Sequence, residues 1–203
     1  MVGGGEMKKI QTLFVRVIEN GKIVKVLEDV APGLEWVLEG EGEATEKVDG
    51  AACAIIDGQL FRRYDAKVGQ RRVPDGAFPC QPSPDPVTGH WPHWVPVDRA
   101  KKSDKWFVAA FDNTPWNRAD GTYEAVGEHF QTNPYDLDAD FMEKHGRIKI
   151  PDCPRDYAGI REYLRTHEIE GIVWWKDGEP RCKIKRRDFG FPWPVGGCNN
   201  AER

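Results

Sequence analysis

Short turn signals recur between runs of β-branched and aromatic residues, and this recurrence constrains the fold more than any other feature. The turn pairs are Asn20-Gly21, Asp57-Gly58, Asp120-Gly121 and Asp177-Gly178. Such pairs favour the tight turns of β-hairpins, because glycine, asparagine and aspartate tolerate the left-handed backbone that these turns need. The runs that flank them are 12–18 with 23–27, 51–56 with 59–64, 106–111 with 122–126, and 171–175 with 180–185. The sequence therefore predicts a chain that is mostly antiparallel sheet.

Helices are fewer. Asp152 and Pro154 precede an apolar stripe at helical spacing, formed by Tyr157, Ile160, Tyr163 and Leu164, and this pattern predicts a helix. Residues 136–145 give a weaker pattern. Asp136, Asp138 and Asp140 alternate like calcium ligands, but the glycine and terminal glutamate of a calcium loop are missing, which indicates a helix start or a solvated turn. We expect the α+β class, antiparallel sheets with a few helices, in one domain over residues 1–203.

The proline-rich segment 69–98 predicts a long loop or flap that packs on the protein, since it also carries Trp91 and Trp94. His90 and His93 in this segment have no cysteine pair at zinc spacing beside them, which argues against a zinc site. The five cysteines form no CxxC pair, so neither a disulfide framework nor a redox or metal protein fits their spacing.

Composition sets further limits. The chain has 203 residues, of which 39% are hydrophobic and 31% charged, and no apolar run approaches the length of a bilayer crossing. The N-terminus lacks an apolar secretory segment, so we expect a cytoplasmic protein with no membrane partner. A net charge of −4 argues against a general nucleic-acid coat but leaves room for a local basic groove. Basic residues do cluster, at Arg62, Arg63, Lys67, Arg71 and Arg72, and at Lys183, Lys185, Arg186 and Arg187.

The segment Lys47-Val48-Asp49-Gly50 would be an ordinary turn if it stood alone. Downstream of it follow, in order, Arg62-Arg63, a Glu-x-x-Gly motif at Glu124, Glu170-Gly171-Ile172-Val173 and Lys183-Ile184-Lys185. This order resembles the ordered motifs of the covalent nucleotidyltransferases, which comprise polynucleotide ligases and mRNA capping enzymes. Segments 122–135 and 170–194 are similar to a family of small ATP-dependent 5′–3′ RNA ligases, best known from vertebrates, and the resemblance spans about residues 45–194.

The resemblance implies an adenylation domain of the ligase type, ATP-grasp-like, without a C-terminal OB domain, since nine residues follow Pro194. It implies an ATP-dependent RNA ligase that seals 5′-phosphate and 3′-hydroxyl RNA ends, as in RNA repair, through a lysine-AMP and an RNA-adenylate. The expected cofactors are ATP and Mg²⁺, or Mn²⁺ in its place. The expected partner is RNA, with no obligate protein partner.

The resemblance also implies residue roles. Lys47 is the nucleophile, and Lys183 and Lys185 share one face of a strand, so both are expected to act on the α-phosphate. Glu170 is expected to hold the hydrated metal, and Glu124 to bind the ribose hydroxyls or a metal-bound water. The other expected ligand contacts are Arg63 to the ribose or the RNA phosphate, Lys67 to a phosphate or RNA, Asp49 to the water shell of the metal or to its own turn, and Glu46 to the adenine amine.

Some alternatives stay open in the sequence. Arg62 alternates with Arg63 and is expected to face solvent. Phe130 and Tyr135 are both possible stacking partners for adenine, with Ile172 or Val173 as the opposite wall. The acceptor also stays open: a DNA ligase, a GTP-using capping enzyme, or a degenerate ligase fold that only binds nucleotide or RNA would share the motif order.

Overall fold

Antiparallel strands form most of the regular structure, as the turn signals predict. The computed structural model describes residues 5–19, 22–69, 72–86, 88–116 and 118–195. Within these ranges the strands are β1 (Gln11–Thr12), β2 (Phe14–Glu19), β3 (Lys22–Val30), β4 (Glu43–Lys47), β5 (Ala51–Ile56), β6 (Gln59–Lys67), β7 (Phe78–Pro79), β8 (His90–Pro96), β9 (Gly121–Val126), β10 (Phe141–Lys144), β11 (Gly171–Lys176) and β12 (Glu179–Lys185). The helices are α1 (Lys105–Asp112) and α2 (Tyr157–Thr166), and 3-10 turns cover Glu35–Val37, Lys102–Asp104 and Arg186–Phe189. The α+β class is confirmed.

The chain forms two compact units. One comprises Ile10–Val48 and Gly146–Arg203, and we call it the Lys47 unit. The other comprises Met1–Lys9 and Asp49–His145, and we call it the Glu124 unit. The predicted Asn20-Gly21 turn, Arg71 and Cys198 lie outside the described residues.

A four-stranded sheet with the order β1-β12-β11-β4 forms the centre of the Lys47 unit, and a two-stranded sheet of β2 and β3 accompanies it. β11 pairs antiparallel with both β12 and β4, and β1 pairs parallel with β12. The predicted helix is α2, and Asp156 directly before it caps the helix, because its side chain accepts a hydrogen bond from the Gly159 N–H. Its apolar stripe packs Ile160 and Leu164 into the same core as Ile172 and Ile184.

A six-stranded antiparallel sheet with the order β10-β9-β5-β6-β8-β7 forms the Glu124 unit. Helix α1 covers one face, where Ala110 packs with Cys53 and Tyr123. A second apolar cluster includes Phe61 and Trp94. Since side chains alternate along each strand, the two clusters use alternate positions of β5 and β6.

The prediction of a strand over 106–111 is wrong, because these residues form most of α1. A short continuous apolar run fits a buried strand and a buried helix equally well. In the structure β9 pairs with β5 and β10 instead. The predicted hairpins 51–56 with 59–64 and 171–175 with 180–185 are confirmed, and β2 pairs antiparallel with β3.

Two further predictions need correction. No helix begins in 136–145: Asp136 has a positive φ of 49° and is exposed, as the solvated-turn alternative requires, and β10 follows. Segment 69–98 is not all loop, since β8 pairs along β6 and buries Trp94 to 1% exposure. β8 keeps its place in the sheet despite Pro92 and Pro96, because His93, Trp94 and Val95 between them are buried. Of the helices in the described ranges, even the ten-residue α2 is too short to cross a membrane.

Candidate functional site

Three strands of the Lys47 unit bring two predicted lysines into one cross-strand row. Gly171 on β11 lies opposite Lys47 on β4 and opposite Lys185 on β12. The two lysines therefore flank a residue without a side chain. A Cβ atom at Gly171 would lie 2.2 Å from the carbonyl oxygen of Ile184. The glycine of the predicted Glu-Gly-Ile-Val motif is thus required by close backbone approach.

The carboxylate of Glu170 joins the two lysines. Its Oε2 accepts from Lys47 Nζ at 2.5 Å, and its Oε1 accepts from Lys185 Nζ at 2.6 Å. The Glu170 side chain is 7% exposed, whereas those of Lys47 and Lys185 are 19% and 31% exposed. Removing a carboxylate from water is costly unless charged donors replace the water. The two ammonium groups provide those donors, so the three side chains form one interdependent cluster.

Lys183 lies in the next row of the same sheet face, opposite Val173 on β11, which in turn lies opposite Thr45 on β4. The alternate residues, Ile172 and Ile184, enter the core. The pKa of Lys183 is lowered to about 8, chiefly by burial and also by the neighbouring charges of Lys47, Lys185 and Arg16, against the opposing effect of Glu170. The structure thus brings Lys47, Glu170, Lys183 and Lys185 together on one face.

Asp188 fixes the end of β12. Its Oδ2 accepts from the backbone N–H of Lys185 at 2.9 Å, and its Oδ1 accepts from Arg16 Nη2 at 2.7 Å. Asp188 is 4% exposed. The backbone of Lys183 is also held, because its carbonyl oxygen accepts from the Leu13 N–H that follows β1. The backbones of Lys183 and Lys185 are therefore both held by hydrogen bonds from outside the hairpin.

Glu46 lies on the opposite sheet face from Lys47, because its register partner is the buried residue Ile172. Its backbone N–H donates to the carbonyl oxygen of Ile148. Val173, not Ile172, shares the lysine face, so of the two residues predicted as a wall for adenine only Val173 lies beside the lysines.

Glu124 lies on β9 of the other unit, and the register shows which face it occupies. Cys53 pairs with Arg62 and with Tyr123, so these three share the face that α1 covers. Their neighbours Arg63 and Glu124 therefore share the opposite face. Glu124 is 8% exposed and accepts from a histidine that the sequence prediction missed, His145, at 3.1 Å.

The prediction that Arg62 faces solvent is wrong. Its Nε donates to Asp104 Oδ1 at 2.9 Å, and the Asp104 side chain is only 1% exposed. Burial opposes ionisation of Asp104, but the backbone N–H of Asp98 and the Arg62 guanidinium outweigh it, so the pKa of Asp104 is lowered. The alternation of Arg62 and Arg63 puts them on opposite faces of β6. It does not show that α1 and Asp104 cover the face of Arg62.

Arg63, Asp65 and Lys67 lie at every second position of β6 and therefore share one face of the sheet. Arg63 Nε contacts Asp65 Oδ1 at 3.0 Å and its side chain is 33% exposed. Lys67 is partly buried and lies opposite His90. Both cations thus share a partly exposed face, as an anion contact requires.

The turn at Asp49 and Gly50 is held within the Glu124 unit. The backbone N–H of Asp49 donates to the Tyr135 hydroxyl at 2.6 Å, and a Cβ atom at Gly50 would lie 2.3 Å from the Ala125 carbonyl oxygen. Phe130 is 6% exposed and packs against Phe107 in the core. Of the two predicted stacking residues, Tyr135 is therefore the less buried.

A metal ion would find carboxylate oxygens here, the donors that Mg²⁺ prefers. Both oxygens of Glu170 accept from ammonium groups, so direct ligation would displace a lysine, whereas a hydrated ion needs few protein oxygens. Among the described ranges, no three His, Cys, Asp or Glu side chains are grouped to hold a metal.

Comparison with known proteins finds relatives of one kind. RNA ligase 1 of Rattus norvegicus and of Mus musculus are each 25% identical to the chain over 223 aligned positions, which cover 75% of this chain and 68% of each relative. RNA ligase 1 of Danio rerio is 27% identical with the same coverage. No protein-family model matches the chain. The resemblance that the motif order predicts is confirmed: this chain is similar to the RNA ligase 1 proteins over three quarters of its length.

Proposed function

We propose that the protein is an ATP-dependent RNA ligase that seals 5′-phosphate and 3′-hydroxyl ends. The observation that carries the proposal is the row of Lys47, Gly171 and Lys185, in which Glu170 holds one ammonium group on each carboxylate oxygen. The similarity to RNA ligase 1 proteins supports the same reaction. From the motif order we further propose an ATP-grasp-like nucleotidyltransferase fold, acting as one catalytic domain over residues 1–203.

In the first step, Nζ of Lys47 attacks the α-phosphorus of ATP. An N–P bond forms, the bond from the α-phosphorus to the bridging oxygen breaks, and pyrophosphate leaves. The lysine must lose a proton to become a nucleophile, and the acceptor in contact with Nζ is Oε2 of Glu170, at 2.5 Å. Glu170 therefore orients the amine and provides the exit for its proton.

Lys183 and Lys185 stabilise the charge that develops on the α-phosphate. They lie on the sheet face of Lys47, two residues apart on β12. Positioned cations at a developing phosphoryl charge act most strongly in a partly dehydrated site. Removing Lys185 would also release one oxygen of Glu170, so its loss should harm both the electrostatics and the orientation of Lys47.

In the later steps, an oxygen of the RNA 5′-phosphate attacks the lysine-bound AMP, which restores Lys47. The RNA 3′-hydroxyl then attacks the 5′-phosphorus of the adenylated end, a phosphodiester forms, and AMP leaves. We propose that Arg63 and Lys67 contact the ribose or phosphates of the substrates, and that Glu46 and Asp49 contribute to binding ATP.

Glu170 would contact the water shell of Mg²⁺, or Mn²⁺, and from the motif order we propose a contact of the same kind for Glu124. The ion would supply charge neutralisation at the phosphates when bound.

The test is an intact-mass measurement after incubation with ATP and Mg²⁺. We expect an added AMP on the parent, none on Lys47→Ala, and a normal adduct on Lys25→Ala, a matched control because Lys25 is an exposed lysine of the same unit. Samples treated first with pyrophosphate exclude AMP carried through purification. No adduct on the parent would overturn the proposal.

Acceptor assays follow on the same samples. Joining should need ATP rather than GTP, RNA rather than DNA, and a 5′-phosphate with a 3′-hydroxyl. An adduct formed only with GTP would instead identify a capping-type transferase, and joining of DNA alone would identify a DNA ligase.

A further inference from the structure

A histidine at the end of β10 contacts the carboxylate of Glu124. His145 Nε2 lies 3.1 Å from Glu124 Oε1, and His145 Nδ1 lies 2.8 Å from Thr122 Oγ1. The backbone is also tied, because the His145 N–H donates to the Thr122 carbonyl oxygen at 3.1 Å. Thr122 and Glu124 are two residues apart on β9 and share one face. The imidazole ring therefore bridges two successive side chains of that face.

The hydrogen-bond partners define the role of each ring nitrogen. An ionised carboxylate can only accept, so Nε2 must donate to Glu124. In the neutral ring Nδ1 then accepts, and the Thr122 hydroxyl donates to it. Glu124 thus selects the tautomer with its proton on Nε2, and the Thr122 hydroxyl, which can donate or accept, complements it. The side chains of His145 and Glu124 are 19% and 10% exposed, so solvent competes little for this contact.

We propose that His145 is a positioning residue for Glu124. The hydrogen bond from His145 occupies Oε1 of Glu124 and leaves Oε2 to contact the ligand. That ligand is either a ribose hydroxyl of ATP or a water bound to Mg²⁺. The inference rests on the proposed function, since it assigns a task to Glu124 in binding ATP. Partners that orient a ligating or binding carboxylate in this way typically change affinity or activity about 10–100-fold when removed.

A purely structural role is the competing explanation. His145 could simply tether the end of β10 to β9 through Thr122, which its ring Nδ1 and its backbone N–H both contact. The two roles differ in which nitrogen matters. Positioning requires the donor at Nε2, whereas tethering the end of β10 can use the Nδ1 contact with Thr122 as well.

Two variants separate the ring nitrogens. In His145→Gln the amide nitrogen falls near the position of Nε2 and keeps a donor for Glu124. In His145→Asn the shorter amide falls near Nδ1, keeps a partner for Thr122, and loses the contact with Glu124. Both variants are polar and similar in size, so each serves as the fold control of the other, together with a thermal melt.

The experiment measures lysine adenylylation against ATP concentration, with ATP and with 2′-deoxy-ATP, over a range of Mg²⁺. We expect His145→Asn to weaken the apparent affinity for ATP, or to raise the Mg²⁺ concentration that the reaction requires, by on the order of tenfold. Its rate at saturating ATP and Mg²⁺ should change less. We expect His145→Gln to stay near the parent in both quantities. A narrowed preference for ATP over 2′-deoxy-ATP would assign Oε2 to the ribose. A raised Mg²⁺ requirement would assign it to the metal-bound water. Either result supports positioning.

The inference would be overturned if both variants lost affinity equally, or if His145→Asn behaved like the parent. In either case an AMP adduct on the parent would still support the proposed function. Absence of any adduct on the parent would overturn the proposed function and the inference together. The two failures are therefore distinguishable in one set of samples.

Discussion

Lys47 and Lys185 lie on opposite sides of Gly171 in a single cross-strand row and donate to different oxygens of one carboxylate, at 2.5 and 2.6 Å. This relationship makes the position of the proposed nucleophile depend on a strand that follows it by more than a hundred residues in sequence. The row also depends on the absence of a side chain at Gly171, which lets β11 and β12 approach closely.

Gly171→Ala should damage the row. The added Cβ would lie 2.2 Å from the Ile184 carbonyl oxygen, so β11 and β12 must separate, at a cost of about 1–3 kcal/mol in unfolding free energy. We expect lysine adenylylation to fall with it. Urea unfolding and the AMP adduct yield measure the two effects.

The control lies at the other end of the same hairpin. Gly178→Ala meets no atom within 4 Å but has a positive φ of 75°, so it should cost about 1 kcal/mol and leave the adduct yield near that of the parent. Equal loss of adduct in both variants would show that general hairpin stability, rather than the row, controls the reaction.

Glu170→Gln keeps the shape of the side chain and removes its charge. The two ammonium groups would then lie close together without the carboxylate, and hydrogen bonds to charged groups contribute about 1–3 kcal/mol. We expect a loss of stability in that range and a strong loss of adenylylation. A double-mutant cycle with Lys185→Met, read by urea unfolding, checks the coupling: additive effects would contradict the shared carboxylate.

The pKa of Lys183 gives the protein a pH dependence of stability. Because burial and the neighbouring cations lower this pKa from 10.5 to about 8, the unfolded chain binds the proton between these two values and the folded chain does not. The contribution of Lys183 to stability therefore rises as the pH increases from 8 to 10.5, by at most about 1.4 kcal/mol per pH unit.

Lys183→Met removes this titration. The difference in unfolding free energy between parent and variant should shift in favour of the parent as the pH rises from 8 to 10, and should be constant below pH 7. Urea unfolding at successive pH values gives the difference, and a constant difference over the whole range would contradict the shifted pKa.

Arg62 and Arg63 should separate stability from activity. Arg62→Ala leaves the buried Asp104 without its cation and should cost about 3 kcal/mol, the cost of breaking a buried pair, while adenylylation at low temperature persists. Arg63→Ala removes a partly exposed cation and should weaken ligation with little change in melting temperature. The reverse pattern would contradict the assignment of faces.

Much of this arrangement is readable from local sequence. Asp57-Gly58 and Asp177-Gly178 correctly predict two hairpins, and the second predicts that Glu170, Lys183 and Lys185 lie at one end of a sheet. A turn pair acts over a few residues, so it predicts a hairpin where strand-forming runs flank it directly. At Asp120-Gly121, which a longer loop separates from 106–111, the same signal fails. The two-residue spacing of Lys183 and Lys185 likewise predicts that both side chains lie on one face of the strand.

What failed depended on partners distant in sequence. The run 106–111 is apolar throughout, which fits a buried strand as well as a helix, and in the structure it is helical and packs on side chains of β5 and β9. For 136–145 the pattern predicts a helix start or a solvated turn, and neither alternative includes β10, which places His145 beside β9. Arg62 could be paired only with knowledge of Asp104, which lies 42 residues away. Local patterns do not encode such pairs.

The lysine-bearing strands also have protected backbones. The two-residue β1 covers β12, and residues 148–150 hydrogen-bond along the outer side of β4. A sheet edge with unpaired N–H and C=O groups invites strand addition by another chain, and short edge strands and covering segments are how proteins prevent it. This sheet can therefore carry its three lysines on one face without leaving the edges at β4 and β12 open to a strand of another chain.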